Sequence, residues 1–333
     1  MRRLFIAILI LILNFPQFSS EPKKELDLRG DWKFSIGDNP EWSKLNYRDQ
    51  NWESIKVPSS WENEGFHGYN GYAWYRKEFN GNSSWAGSTL ILNLGLIDDA
   101  DEVFVNGVKI GSTGSFPPNY QTAYNIHRRY TIPISILNLS GKNVIAVRVY
   151  DNELEGGMIH GEQAIYSVRS EMVLAQYLDG VWKFKTGDSP LYNENDYNDS
   201  NWEDIIVPGY WDAQGYSKYD GYAWYRLKFT PSKNLLNQKL VLVLGRIDDY
   251  DQTFLNGVLI GSTGNFNNPS IGFVHSNEYR AFRGYYIPQG VLKEGENIIS
   301  VRVFDAFQDG GIYSGPIGLI SQDNYVNFFS KKR

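Results

Sequence analysis

Two acidic segments are the strongest candidates for chemistry in this sequence. They are Asp98, Asp99 and Asp101, and, 150 residues later, Asp248, Asp249 and Asp251. Paired carboxylates can act as general acid and base, and carboxylate oxygens are also the ligands that Ca²⁺ prefers. If the segment is extended, Asp99 and Asp101 share one face roughly 7 Å apart while Asp98 points away. Neighbours on one strand cannot easily flank a scissile bond, so we expect a structural role, with a sugar or calcium site as the alternative.

Five further side chains are candidates for contact with a sugar. Aromatic rings stack on the apolar faces of pyranose rings, and Tyr69 and Tyr219 lie in Gly-rich loops that could present them. His67 lies beside the first of these tyrosines. His160 and Tyr313 belong to later Gly-rich loops and could hydrogen-bond or stack. The alternative for each is a polar side chain that is merely exposed.

Motifs for nucleophilic catalysis are missing or fail an internal test. Gly187-Asp188-Ser189 is similar to the nucleophile block of Gly-Asp-Ser esterases. The sequence repeats itself with an offset of 150 residues, and Gly37-Asp38-Asn39 occupies the equivalent place without a serine. No histidine follows an aspartate by three, as such esterases require. The four histidines have no metal-ligand spacing, and the sequence contains no phosphate loop or dinucleotide fingerprint. We therefore assign no catalytic residue, and the sequence names no metal ligand set.

Charge and composition restrict the class of partner. The net charge is −6, and it becomes −8 without the two positive charges of Arg2 and Arg3. Binding to a phosphate backbone needs the opposite sign, so nucleic acid is not expected as a partner. The absence of cysteine excludes disulfides, thiolate metal sites and an acylated cysteine anchor. A hydrophobic fraction of 42% and an aromatic fraction of 15% are typical of a globular chain.

The first 20 residues have the plan of a cleaved signal peptide. Arg2 and Arg3 precede an apolar run from Leu4 to Leu13, and small residues follow at Ser19 and Ser20. The apolar run is shorter than the ~20 residues that a membrane-spanning helix needs. We expect a secreted or periplasmic protein that is free of the membrane once this segment is removed.

The rest of the chain is an internal repeat. The offset is 150 residues through the first half of each copy and 154 at the final strand, because the loops before Tyr130 and Tyr286 differ in length. In the matching elements, Trp32 corresponds to Trp182, Val57-Pro58 to Val207-Pro208, Gly71 to Arg76 corresponds to Gly221 to Arg226, and Asn143 to Asp151 corresponds to Asn297 to Asp305. The repeat predicts a first domain over residues 25–172, a second over 173–323 and a polar tail over 324–333.

Each copy contains the pattern of a β-rich fold. Asn106-Gly107 and Asn256-Gly257 separate short β-prone runs, and Asn-Gly supplies the positive φ angles of a type I′ hairpin. Leucine alternates with other residues at Leu90, Leu92 and Leu94, which is the period of a half-buried strand. We therefore predict an all-β protein made of two β-sandwiches.

The combined motifs resemble the sugar-binding jelly-roll domain of glycoside hydrolase family 2 enzymes such as β-galactosidases, and the related domain of sialate O-acetylesterases. The motifs are Gly-x-Trp-x-Phe, Gly-Tyr-Ala-Trp-Tyr-Arg, Asp-Asp before Asn-Gly, the run Asn143 to Val149, and a closing Gly-Gly loop. The resemblance covers both copies and implies two tandem jelly rolls of the galactose-binding type. It also leaves a structural calcium ion open, since such domains often hold one, while no other cofactor is implied.

The resemblance implies sugar recognition and does not extend to hydrolysis. In family 2 enzymes a separate (β/α)₈ barrel carries the catalytic glutamates, and such a barrel needs ~250 residues of its own. We expect a secreted, non-catalytic protein that binds glycans or assists their degradation. One alternative is an enzyme, either a glycosidase acting through an unfamiliar cleft between the domains or a sialate O-acetylesterase component whose catalytic part is a separate chain. A second is a structural, protein-binding sandwich, because a fold does not fix a function.

Overall fold

The computed structural model describes residues 21–266 and 277–331, so the predicted export segment, residues 1–20, lies outside the described residues. Antiparallel strands in four sheets account for most of the regular structure. Two sheets form each half of the chain, which confirms the all-β class and the tandem sandwiches. Within the described residues, no helix has the length and apolar character needed to cross a membrane.

The first sandwich contains eleven strands in two sheets. The strands are β1 (Lys23–Asp27), β2 (Gly30–Ile36), β3 (Glu53–Val57), β4 (Gly71–Asn80), β5 (Ser88–Asp98), β6 (Ala100–Val105), β7 (Val108–Thr113), β8 (His127–Ile132), β9 (Lys142–Asp151), β10 (Gly157–His160) and β11 (Ala164–Arg169). One sheet has the order β1-β11-β5-β10, with β8 also paired to β5, and the other has the order β3-β2-β4-β9-β6-β7. Strand β7 is thus an edge strand.

The second sandwich repeats this topology. Its strands are β12 (Gln176–Tyr177), β13 (Gly180–Thr186), β14 (Glu203–Val207), β15 (Gly221–Phe229), β16 (Leu240–Ile247), β17 (Tyr250–Leu255), β18 (Val258–Thr263), β19 (Phe282–Tyr286), β20 (Asn297–Asp305), β21 (Ile312–Ser314) and β22 (Gly318–Ser321). The sheets have the orders β12-β22-β16-β19, with β21 paired to β16, and β14-β13-β15-β20-β17-β18. Strand β18 occupies the edge position of β7.

Alternating residues of the two sheets fill the core of each sandwich. In the first, Phe34 and Val147 from one sheet and Leu92 from the other belong to one buried cluster. The Asn-Gly pairs make the expected hairpin turns, with φ of 52° at Asn106 and 87° at Gly107. The Asn106 side chain donates to Ile136 O and to Asn143 Oδ1, both at 2.8 Å. This amide therefore ties the turn to the following loop as well as forming it.

The predicted polar tail is wrong, because residues 324–330 belong to a helix, α1 (Gln322–Ser330). Ser321 caps this helix by accepting from Asn324 N. Tyr325, Phe328 and Phe329 pack on an apolar cluster on the outer face of β16. The helical pattern was not recognised in the sequence, because charged and polar residues lie between the four aromatic or apolar side chains. The spacing of these four side chains nevertheless places them on one helical face.

Candidate functional site

The acidic segments do not act as single clusters. Strand β5 ends at Asp98 and β6 begins at Ala100, so the segment is not one extended strand and the predicted shared face of Asp99 and Asp101 is wrong. Asp101 is buried and accepts from Arg128 Nε at 2.7 Å and from the Tyr130 hydroxyl at 2.6 Å. This aspartate has a structural role.

The second copy preserves this buried ion pair. Asp251 accepts from Arg283 Nε at 2.9 Å and from the Tyr285 hydroxyl at 2.9 Å. Arg283 also donates to the carbonyl oxygen of Asp249 at 2.6 Å, which fixes the start of β17. Both carboxylates thus accept hydrogen bonds from arginine and tyrosine donors. These bonds compensate charges that would be costly to bury alone.

The remaining aspartates form two triads with a partner from a distant strand. The first triad is Asp98, Asp99 and Asp151, and the second is Asp248, Asp249 and Asp305. In each triad, one carboxylate oxygen per residue lies within 4.8 Å of the others. Sequence reasoning missed Asp151 and Asp305, although both end the repeated Val-Arg-Val strand and could have been found from that repeat.

Hydrogen bonds divide the charge unequally in the first triad. Asp99 accepts from the Tyr120 and Thr122 hydroxyls and from Asn152 N. Burial opposes its ionisation, but hydrogen bonds from Asp98, Thr122 and Tyr120 hold its pKa below the usual value. Burial and the hydrogen bond to Asp99 raise the pKa of Asp98 to about 8, and burial beside Asp99 raises that of Asp151 to about 7.

The second triad is similarly short of positive partners. Burial and the neighbouring Asp249 raise the pKa of Asp248 to about 7, and burial raises that of Asp305 to about 8. Asp305 is 0% exposed, and its Oδ2 has no hydrogen-bond partner among the described residues. Three oxygens of this kind suit a hard cation such as Ca²⁺, so protons or a cation can balance the charge of each triad.

The expectation that Tyr69 and Tyr219 stand exposed for sugar stacking is wrong. Each ring is half-buried and packs edge-on against Trp61 or Trp211 at 5.8 and 5.9 Å. The Tyr69 hydroxyl accepts from Gly37 N at 3.2 Å and donates to a backbone carbonyl at 2.6 Å. Tyr219 makes the matching pair of bonds. Both tyrosines therefore anchor their loops.

The other three candidates are dispersed. His67 and His160 are exposed, but His67 lies in the loop before β4 and His160 ends strand β10. Tyr313 is half-buried and stacks on Tyr210 with ring centroids 4.9 Å apart and planes at 4°. Its hydroxyl donates to Tyr279 O at 2.8 Å. The first sandwich has Ser60 and Ile159 at the positions of the stacked pair, so this feature belongs to the second sandwich alone.

A cleft of about 1000 Å³ lies between the two sandwiches, where sequence reasoning placed a site only in the alternative of a hydrolase. The first sandwich contributes Gln121, Thr122, His127 and Arg129 among other residues. The second contributes Asp212, Lys218, Asp220 and Asp309. Asp309 directly precedes the closing Gly310-Gly311 pair, so the closing loop of the second sandwich reaches the cleft. No local pattern could reveal it, because the cleft exists only where two domains meet.

The comparisons with known proteins agree with the resemblance found in the sequence. Residues 37–155 match the family model described as the second all-beta domain of beta-galactosidase. A Formosa agariphila protein assigned as a beta-glucuronidase is 33% identical over 45% of this chain and 15% of its own length. Beta-galactosidase BoGH2A of Bacteroides ovatus is 28% identical over 50% of this chain and 18% of its own. The chain thus matches less than a fifth of either relative.

Among solved structures, Bacteroides uniformis beta-glucuronidase 2 aligns with 88% of this chain and 28% of its own, at 13% identity and a TM-score of 0.38. The family model, over residues 37–155, and the sequence relatives support the resemblance to the β-sandwich domains of family 2 glycosidases.

Proposed function

We propose that this tandem of family 2-type sugar-binding sandwiches holds glycans in the cleft between its two domains, as an accessory unit of glycan degradation. The observation that carries the proposal is the cleft itself, because it is concave and both sandwiches line it with hydrogen-bonding side chains. Sugar sites combine such groups with a few apolar surfaces, and Ile126 and Phe307 line the same cleft with half of their side-chain surface exposed.

The two sides of the cleft differ in charge. Arg129 and His127 lie on the same face of β8, since alternate residues of a strand point the same way. The opposite side carries Asp220 and Asp309. A hydroxyl-rich ligand can donate to the carboxylates and accept from the arginine, so this arrangement suits a saccharide of two or more units that spans both sides.

In this proposal the two sandwiches bind the glycan and a catalytic centre outside them cleaves it. The support is the sequence, which contains no nucleophile motif, together with the structural use of Asp101 and Asp251 in buried ion pairs. We also propose export, on the strength of the charged and apolar pattern in residues 1–20. Intact-mass analysis of protein recovered from outside the cytoplasm would show a chain beginning near Glu21, and a chain that retains residues 1–20 would contradict export.

The closing loops provide a matched test of the cleft. Asp309 lines the cleft and Glu155, at the equivalent position of the first sandwich, does not line it. Calorimetry with galactosides, glucosides and sialylated glycans should show saturable binding that Asp309→Ala weakens about tenfold or more, since one hydrogen bond to a charged group contributes about 1.5 kcal/mol or more. Glu155→Ala should leave binding unchanged. Equal effects of the two variants, or no binding at millimolar sugar, would exclude the cleft as the site.

A further inference from the structure

The second sandwich docks on the first through its first hairpin. Strand β14 and the short 3₁₀ helix Asp212–Gln214 lie against edge strand β7. Ile206, from β14, is 2% exposed and belongs to the buried cluster of the first sandwich. Val181 and Ala213 pack against the same cluster. The interface between the domains is therefore a continuation of the first core.

The same hairpin in the first sandwich carries charge instead. Val181 faces Ile206 across the β13–β14 pair, and Asp31 faces Lys56 in the same register of the β2–β3 pair. Lys56 Nζ lies 2.8 Å from Asp31 Oδ1, and each side chain is 68% exposed. An apolar pair thus marks the hairpin that docks, and an exposed ion pair marks the one that does not.

The strands that could receive such a hairpin are nearly identical in sequence. Strand β7 reads Val-Lys-Ile-Gly-Ser-Thr and β18 reads Val-Leu-Ile-Gly-Ser-Thr. Under the second sandwich, Ile110 is 2% and Ser112 is 7% exposed. On β18 no described strand covers the free edge, and Val258 and Leu259 are 46% and 49% exposed.

Strand β18 also lacks the charge that β7 carries beside its docked hairpin. Lys109 pairs with Glu102 at 2.7 Å on the first sandwich, whereas Leu259 and Gln252 occupy these positions on the second. Edge strands usually carry charge where they must remain unpaired, and an exposed apolar edge marks a contact surface. When the two copies are aligned, Gln289 of the second sandwich corresponds to Ile134 of the first. A partner of the β18 edge must therefore offer a polar group opposite Gln289.

We propose that the β18 edge, with Val258, Leu259 and Ser262, is a receiving surface for a further β-sandwich whose first hairpin carries an apolar cross-strand pair. The intramolecular interface supplies the argument, since β7 receives that kind of hairpin. A second copy of this chain is excluded as the partner, because its first hairpin would bury the Asp31–Lys56 ion pair at a high desolvation cost. Docking of this kind is heterologous and does not close.

The full chain can serve as its own probe once the ion pair is removed. The double variant Asp31→Val, Lys56→Ile gives the first sandwich the pair that the second one uses for docking. In sedimentation velocity, the wild type should remain monomeric, and the variant should form species whose size grows with concentration. Adding Ser262→Arg, which places a charge at the position equivalent to buried Ser112, should restore the monomer.

A matched control separates docking from general stickiness. Glu78→Val with Lys142→Ile removes another exposed ion pair, which lies at 2.8 Å on the same sheet. This variant should stay monomeric, and circular dichroism should show that all variants keep their strand content. The proposal is overturned if Asp31→Val, Lys56→Ile stays monomeric, if Ser262→Arg does not reverse its association, if the control associates equally, or if the wild type already assembles.

Discussion

The two sandwiches bury the same ion pair but present different surfaces. Asp101 with Arg128 and Asp251 with Arg283 share their geometry to within a few tenths of an ångström. Outside the core, an exposed ion pair on one hairpin corresponds to an apolar pair on the other, partly buried Val181 and buried Ile206. The comparison teaches that the repeat has preserved what each core requires and has diverged where a domain meets something else.

The largest expected effect comes from breaking the shared ion pair. Asp101→Ala and Asp251→Ala each leave a fully buried arginine without its carboxylate, which should lower the free energy of unfolding by about 3–5 kcal/mol. Chemical denaturation of each variant measures this loss. Asp31→Ala, at an exposed pair, should cost far less than this. A loss of that small size from Asp251→Ala would show that the buried pairs are not equivalent.

Substitutions at Ile206 and at the equivalent Lys56 should lower stability less than this, and by different amounts in the two sandwiches. Ile206→Ala removes a buried side chain from the domain interface and should cost about 2 kcal/mol or more. Lys56→Ala, in the same register of the first sandwich, removes only an exposed pair and should change stability much less. Thermal denaturation measures both. Similar losses from the two variants would contradict the docked arrangement.

The triads should make both sandwiches sensitive to pH in the same direction. The raised pKa values, about 8 for Asp98 and Asp305 and about 7 for Asp151 and Asp248, mean that the folded chain holds these protons more tightly than the unfolded chain. Stability should therefore be highest below the unfolded value of about 4 and fall as pH rises through about 7 to 8.

Denaturation midpoints measured between about pH 6 and pH 9 test this dependence. Asp98→Asn and Asp305→Asn should each flatten the profile, because an amide has no proton to lose in this range. Asp31→Asn is the control, since Lys56 lowers the pKa of Asp31 and keeps its titration outside the window. Stability that rises with pH in this range would show that a bound cation, rather than protons, balances the triads.

The smallest expected effect concerns the two loop tyrosines. Tyr69→Phe and Tyr219→Phe each remove a hydroxyl that bonds to two backbone groups, so each should cost about 1 kcal/mol of stability. Glycan affinity, measured by calorimetry, should not change. A loss of affinity without a loss of stability would show that these tyrosines contact the sugar after all.

Much of the fold could be read from sequence because its determinants are local. The Asn-Gly turns and the alternating leucines act over short stretches, and the repeat shows that these local patterns occur twice. The site depends on contacts between distant segments. Asp151 approaches Asp99 from another strand, and Asp101 forms an ion pair with Arg128, which lies 27 residues away in sequence. Helix α1 was missed because charged and polar residues interrupt its apolar side chains, and the strand that they cover, β16, is distant in sequence.

The closing Gly-Gly pairs have a consequence for how such proteins can evolve. A Cβ on Gly156 would lie 2.2 Å from the Trp61 ring, and one on Gly310 would lie 2.0 Å from Trp211, so only glycine fits beneath these loops. The contact fixes the base of each loop while Leu154 and Glu155, or Gln308 and Asp309, project beyond it. Selection can therefore exchange the tip residues freely, and a duplicated domain can acquire a new specificity without a change in its core.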